Sequence, residues 1–266
     1  MIRLICIDVD GTLLGAHGVS PRVWPLVTRA RALGVKLALC SGRPGFGNTR
    51  ALANEVEPGG WHIFQNGASV LHLGTSRSLS ATHTPEAIAA LVATARAKGR
   101  VLELYTDSDY AVESSGDRAR RHAALLGLRF APRPFEQLQG PVVRAQWLAP
   151  LEEERALLAD PHDGLEVVPS TAPAMPDTVF VNLTPRGVSK GSAILALARE
   201  IGLPMSDVMF IGDGLNDLSA LRVAGVPVAM ATAPPEVLRA SRLEVGSAED
   251  GGVADAIAFA LEGRAL

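Results

Sequence analysis

Two carboxylates, Asp8 and Asp10, stand at the end of the apolar run Leu4-Ile5-Cys6-Ile7, with Gly11 and Thr12 directly after them. Residues i and i+2 of a strand point to the same side, so both acids are expected to address one site. At that spacing one carboxylate can serve as a nucleophile while the other gives and takes a proton. Three further apolar runs end in small polar residues: Ser41-Gly42-Arg43, Asn66-Gly67, and Gly212-Asp213-Gly214-Leu215-Asn216-Asp217. Open parallel sheets bind ligands beyond the carboxyl ends of their strands. If these runs are parallel neighbours, the exits converge and bring together Asp8, Asp10, Asp213 and Asp217. Carboxylates packed so closely cannot all stay ionised without a cation. An oxygen-only donor set without clustered His or Cys calls for a hard ion, Mg²⁺ above all, although Mn²⁺ fits the same oxygens. Backbone amides at the glycines, the Ser41 hydroxyl and Lys190 at the start of a helix complete a set suited to a phosphoryl group.

Those residues need a scaffold, and the flanking pattern supplies one. The first third of the chain alternates strand-like runs (RLICIDVD, VKLALCSG, WHIFQNGASVL) with helical ones (PRVWPLVTRARALG, GNTRALANEV). The last third resumes that rhythm with SKGSAILALAREIGL, VMFIGD, NDLSALRVAG, VPVAMA, PPEVLRAS, LEVGS and GGVADAIAFALEG. Alternation of this kind specifies a parallel sheet with crossover helices. The middle is richer in strands: VLELYTDSDYAVES reads as a hairpin about Asp107-Ser108-Asp109, and VVRAQWLA, LEVVPS and TVFVNLT as further strands. The reading is an α/β fold, a Rossmann-like parallel-sheet core of residues 1–82 and 184–266 with an inserted smaller α+β domain at 83–183.

Composition narrows the class. With 47% hydrophobic and 20% charged residues the chain is neither disordered nor fibrous. A net charge of −3 gives no general attraction to nucleic acid or to anionic membranes. No apolar run approaches the roughly 20 residues that cross a bilayer. Cys6 and Cys40 both lie in strand-like runs and read as small core residues of a cytoplasmic protein, not as a disulfide framework. The basic stretch Arg118 to His122 reads as a solvated helix face.

The motifs, taken in order, resemble the haloacid dehalogenase superfamily of phosphotransferases: D-x-D-G-T at Asp8 to Thr12, a strand-end Ser41, Lys190, and G-D-x-x-x-D at Gly212 to Asp217. SGRP, QNGA, GVSKG, GDGLND and VAMATA with AEDGGVADAI resemble its Cof-type branch, whose α/β cap is inserted between the second and third motifs. The resemblance implies Asp8 as nucleophile and Asp10 as general acid/base, with Mg²⁺ held by Asp8, the Asp10 backbone carbonyl and Asp213, and with Asp217 in support. It implies phosphate binding by Ser41, Gly42, Lys190 and Asn216, with Arg43 and Asn66 lining the mouth. Two positions depart from the branch: Thr232 stands where Asn is usual, and Ser219-Ala220 where Met is common.

The expected activity is that of a Mg²⁺-dependent phosphatase, a phosphoric monoester hydrolase, acting on small phosphorylated metabolites, sugar phosphates foremost, through an aspartyl-phosphate. A cap of about 100 residues suits a small substrate and excludes bulk water. A phosphomutase would use the same groups but return the phosphoryl group to the product. A non-catalytic phospho-acceptor module shares the acids, Ser/Thr and Lys, but not the second acid placed for turnover. Within the cap, Glu103, Arg144 and Gln146 lie on strands, and alternation alone does not say which way they face.

Overall fold

The computed structural model describes residues 1–172 and 174–262. The terminal Gly263 of the closing helical pattern lies outside the described residues. The described residues form two compact units, one of residues 1–42, 52–79 and 189–262, the other of residues 43–51, 80–172 and 174–188.

The first unit is built on a five-stranded parallel sheet in the order Leu243–Val245, Val226–Met230, Val208–Gly212, Leu4–Ile7, Lys36–Leu39. Both faces are covered, so every position in the first strand is apolar. Alternation then sorts the side chains. Ile5, Ile7, Leu37, Leu39, Met209 and Ile211 pack with helices Val23–Ala32 and Gly252–Leu261. Leu4, Cys6, Ala38, Cys40, Val208 and Phe210 face the other way, toward helices Lys190–Glu200, Leu218–Val223 and Pro235–Ala240. Both cysteines are buried and free, and burial pushes the Cys6 thiol up to about 12. No helix among the described residues is long and apolar enough to cross a membrane.

Trp61–Phe64 does not join this sheet as a full parallel member. It pairs antiparallel with Ser69–His72, which pairs with Arg77–Ser78, and touches the parallel sheet through a single bridge from Ile63 to Cys40. That bridge is enough to deliver its exit: the Ser41 amide donates to the Ile63 carbonyl at 2.9 Å, and the Asn66 amide to the Ser41 carbonyl at 3.0 Å.

The second unit is a five-stranded antiparallel sheet ordered Leu165–Ala172, Met175–Pro185, Arg144–Pro150, Val101–Tyr105, Tyr110–Val112. One face is apolar, with Leu102, Leu104, Ala145, Trp147, Val179, Val181 and Leu183 packed with Leu91, Ala95 and Leu157 from helices Pro85–Lys98 and Glu154–Ala159. Thr84 caps the first of these helices through the Ala87 amide, and Gly99 ends it in the left-handed region. Helix Asp117–Leu125 lies on the opposite face, where the His122 ring centres 4.8 Å from Phe180. The solvated position expected for His122 is therefore wrong: it is only 6% exposed, because helical spacing turns it, with Ala119 and Ala123, toward the sheet.

His83 supplies a pH test of this unit. Its ring is buried, Nε2 lies 3.1 Å from the Leu183 carbonyl, and burial lowers its pKa below the ordinary 6.5. As pH falls, the unfolded chain therefore takes up the proton first, and stability held above 6.5 is lost toward the depressed folded value. Denaturant titrations from pH 7.5 to 5 should show His83→Gln, which keeps a donor for Leu183, losing less stability over this range than the parent.

Candidate active site

The site grows out of an interior strand of the parallel sheet, the one between Val208–Gly212 and Lys36–Leu39. Leu4–Ile7 ends before the acids, and the chain turns: the Leu13 and Leu14 amides donate back to the Asp8 and Val9 carbonyls, and Gly11 adopts a φ of 81°. Both acids thus stand in a turn that follows the strand. Asp8 is buried and Asp10 exposed. A Cβ at Gly11 would collide with the Asp213 carboxylate, so glycine serves here both for its φ and for the close approach.

The adjacent strand, Val208–Gly212, delivers Asp213, whose Oδ1 accepts from Thr12 Oγ1 at 2.6 Å. Asp217, fully buried, sits on a short 3-10 turn. Its Oδ2 accepts from the Asp213 and Gly214 amides at 2.9 and 2.8 Å, so it folds its own loop inward and does not cap the helix that follows. Its Oδ1 accepts from Lys190 Nζ at 2.6 Å, and Lys190 reaches Asp8 Oδ1 at the same distance. Lys190 is the first residue of helix Lys190–Glu200, where Ser189 and Ser192 form a reciprocal capping box. The Ser219 hydroxyl accepts from the Gly191 amide at 3.1 Å, which seats that helix end on the Asp217 segment.

Asp8, Asp213 and Asp217 each offer an oxygen within 4.8 Å of the others, the spacing of a metal-binding group. Burial, reinforced by Asp217, raises the Asp8 pKa well above the carboxylate range despite Lys190. Burial likewise raises Asp213. Burial opposes the Lys190 charge, but Asp217 and Asp8 outweigh it and raise its pKa. Three carboxylates around one ammonium are short of positive charge, and an oxygen-only donor set fits a hard divalent cation. Since both Asp217 oxygens are engaged by protein donors, Asp8 and Asp213 are the acids with oxygen left to offer.

The remaining expected residues divide. Asn216 Nδ2 donates to Asn66 Oδ1 at 3.0 Å, and Ser41, fully buried, adjoins Asn66 through the backbone bond already described. Gly42 lies where a Cβ would stand 3.1 Å from Asn66 Oδ1. Asp10 is outside the carboxylate group, and Arg43, half-buried, belongs to the second unit. Sequence reasoning singled out neither Thr12 nor Ser219 as a site residue. The threonine of D-x-D-G-T was the available signal for the first; for the second there was none, since Ser219 registered only as a departure from the branch.

A parallel three-layer core with an acid and lysine cluster at the exits of its central strands defines a phosphoryl-transfer enzyme of the α/β class. Comparison with known proteins makes it specific: residues 5–142 and 166–257 match the haloacid dehalogenase-like hydrolase family. YxeH of Bacillus subtilis is 32% identical over 277 residues, covering 97% of both chains. The 5-amino-6-(5-phospho-D-ribitylamino)uracil phosphatase YwtE of the same organism is 27% identical over 292 residues, covering 99% of each. A haloacid dehalogenase-like hydrolase from Bacteroides thetaiotaomicron superposes with a TM-score of 0.85 at 27% identity, over 97% of this chain and 99% of that one. The chain belongs to the haloacid dehalogenase-like hydrolases, in the Cof-type branch, and is a phosphatase of small phosphorylated metabolites.

The cluster's charge balance predicts opposite effects for two substitutions. Lys190→Met leaves Asp8 and Asp217 without their cation and should destabilise the metal-free protein by about 3 to 5 kcal/mol. Asp8→Asn removes one of the crowded negative charges while Lys190 keeps Asp217, and should leave stability equal or raised. Denaturant unfolding in the presence of a chelator checks both.

Proposed function

We propose that this enzyme hydrolyses phosphate esters of polyhydroxylated metabolites, sugar phosphates foremost, through an aspartyl-phosphate on Asp8, with Mg²⁺ as its metal. The observation that carries the proposal is the buried Lys190 ammonium held between Asp8 and Asp217, which pins the Asp8 carboxylate in one orientation. A fixed carboxylate is a better nucleophile than a mobile one because its freedom is lost before the reaction begins.

In this reading an Asp8 oxygen attacks phosphorus, and the bond from phosphorus to the alcohol oxygen breaks. Asp10 gives its proton to that leaving oxygen. Its exposure suits a group that must next take a proton from water. The water attacks the aspartyl-phosphate, inorganic phosphate departs, and Asp8 is restored. Lys190, the Ser41 hydroxyl and the Gly42 and Asn216 segment hold the phosphoryl oxygens, and Asp217 acts by positioning Lys190. Asp8, Asp213 and the Asp10 carbonyl would hold Mg²⁺, which when bound offsets negative charge on the phosphoryl group. Arg43 and Asn66 are assigned to the mouth, residues 83–183 to the cap, and the cytoplasm to the protein. The ribityl chain in the name of YwtE's substrate supports a hydroxyl-rich alcohol portion.

Phosphate release from sugar phosphates, alditol phosphates, nucleotides and an aryl phosphate tests the proposal. Turnover should vanish with chelator, return with Mg²⁺, and be absent in Asp8→Asn. Asp10→Asn should lower kcat by about 10²- to 10⁴-fold. Turnover retained in Asp8→Asn would overturn the covalent route.

A further inference from the structure

The motif Ala248-Glu249-Asp250-Gly251-Gly252 has no part in the chemistry described above, yet it touches the segment that follows the acids. There Leu14 and Gly15 pair antiparallel with Val19 and Gly18 in a short hairpin. Leu14 brackets Asp10: its amide donates to the Val9 carbonyl at 2.7 Å, and its carbonyl accepts from the Gly11 amide at 3.0 Å. The backbone on both sides of Asp10 is therefore fixed by the first residue of the hairpin. A two-stranded hairpin is marginally stable at best by itself, so its position depends on what it touches.

Segment 247–255 holds it at both ends. At the tip, Glu249 Oε1 accepts from the Ala16 amide at 2.8 Å, and a Cβ at Gly15 would stand 2.5 Å from the same oxygen. The bonds from the Ala16 amide and from its own amide hold the Glu249 carboxyl below its usual range. The acceptor is thus ionised at neutral pH, which strengthens the bond it accepts. Just beyond the base, Arg22 Nη1 donates to the Asp250 carbonyl and Nη2 to Asp255 Oδ1, the latter at 2.6 Å. The clamp is itself ordered. Ser247 Oγ donates to Asp250 Oδ2 at 2.7 Å and accepts from the Asp250 amide at 3.1 Å, and Ala248 is buried in the apolar cluster on which Leu14 and Val19 pack.

We propose that Glu249 is a positioning residue for Asp10: by holding the hairpin at its tip, it fixes the turn from which Asp10 gives its proton to the leaving oxygen. It acts only through Ala16 and Leu14. The catalytic part of this inference rests on the role proposed above for Asp10, whereas the mechanical link from Glu249 to Leu14 does not. A general acid works only within hydrogen-bond reach of the oxygen it protonates, and small misplacements are costly. The cost depends on the leaving group: an alkoxide needs the proton, and a nitrophenolate, far less basic, leaves without it.

That difference supplies the test on the full-length enzyme, with kcat/KM reading the step that forms the aspartyl-phosphate. Glu249→Ala should lower kcat/KM about tenfold for a sugar phosphate and leave it nearly unchanged for p-nitrophenyl phosphate. Glu249→Gln, which keeps the acceptor, should recover most of the loss. Gly15→Ala displaces the carboxylate without altering it and should reproduce the Glu249→Ala pattern. Amide hydrogen exchange at Leu14 and Ala16 should quicken in Glu249→Ala and Gly15→Ala while the parallel strands stay protected. Equal losses on both esters, or a loss that glutamine does not recover, would reduce Glu249 to a structural role and overturn the proposal. Unchanged exchange at Leu14 and Ala16 would overturn the mechanical link. Asp10→Asn is the reference: if it too lowers both esters alike, the acid role of Asp10 fails and the catalytic part of the inference with it, while hydrogen exchange still decides the clamp.

Discussion

One buried ammonium organises the catalytic unit. Lys190 has no exposed side-chain surface and touches two carboxylates from two different strand exits. An ammonium taken out of water is tolerable only when its partners are close and themselves held. Asp217 meets that condition through two backbone amides of its own loop, and Asp8 through its place at the end of a strand paired on both sides. The capping box at Ser189, the Ser219 hydroxyl on the Gly191 amide and the close approach of Gly67 to Ser189 all serve the same end. They fix where the helix begins, and so where the ammonium sits.

The arrangement also explains why so much of the fold around the site is glycine and small polar residue. Gly212 and Gly11 lie where any side chain would strike Asp217 or Asp213. The carboxylates are crowded to the point where burial raises the pKa values of Asp8 and Asp213. Stability is given up there to hold charge in readiness for a cation and a phosphoryl group, the usual relation between an active site and its scaffold. The apolar layers on both faces of the sheet offset that strain.

The second unit follows a different logic. Its apolar face packs as any antiparallel sheet does, and its remaining face is organised by hydrogen bonds between strands and one helix. Low local dielectric makes such a network rigid where its members are satisfied and costly where they are not. The first unit concentrates like charge around one cation; the second joins Glu103, Tyr105, His122, Arg144 and Asn182 through hydrogen bonds and ring contacts.

Much of this was legible beforehand, because it depends on local rules. Apolar runs bounded by Asp, Ser and Gly specify buried parallel strands with polar exits, and the helix starting at Lys190 is announced by Ser189 and the apolar spacing after it. The acids, the lysine and their meeting point follow from that order, since parallel neighbours must present their ends together. What the sequence could not settle was direction. The strand ends at Ile7 and both acids stand in the turn that follows, where strand alternation no longer applies. Helical spacing gives no sign of what helix Asp117–Leu125 packs against, so the basic residues around His122 suggest a solvated face where the ring is buried. The orientation of Glu103 and Gln146 depends on which sheet face the apolar residues of two helices happen to cover. Those outcomes are set by partners distant in the chain, and only the tertiary structure, which decides what each face meets, could supply them.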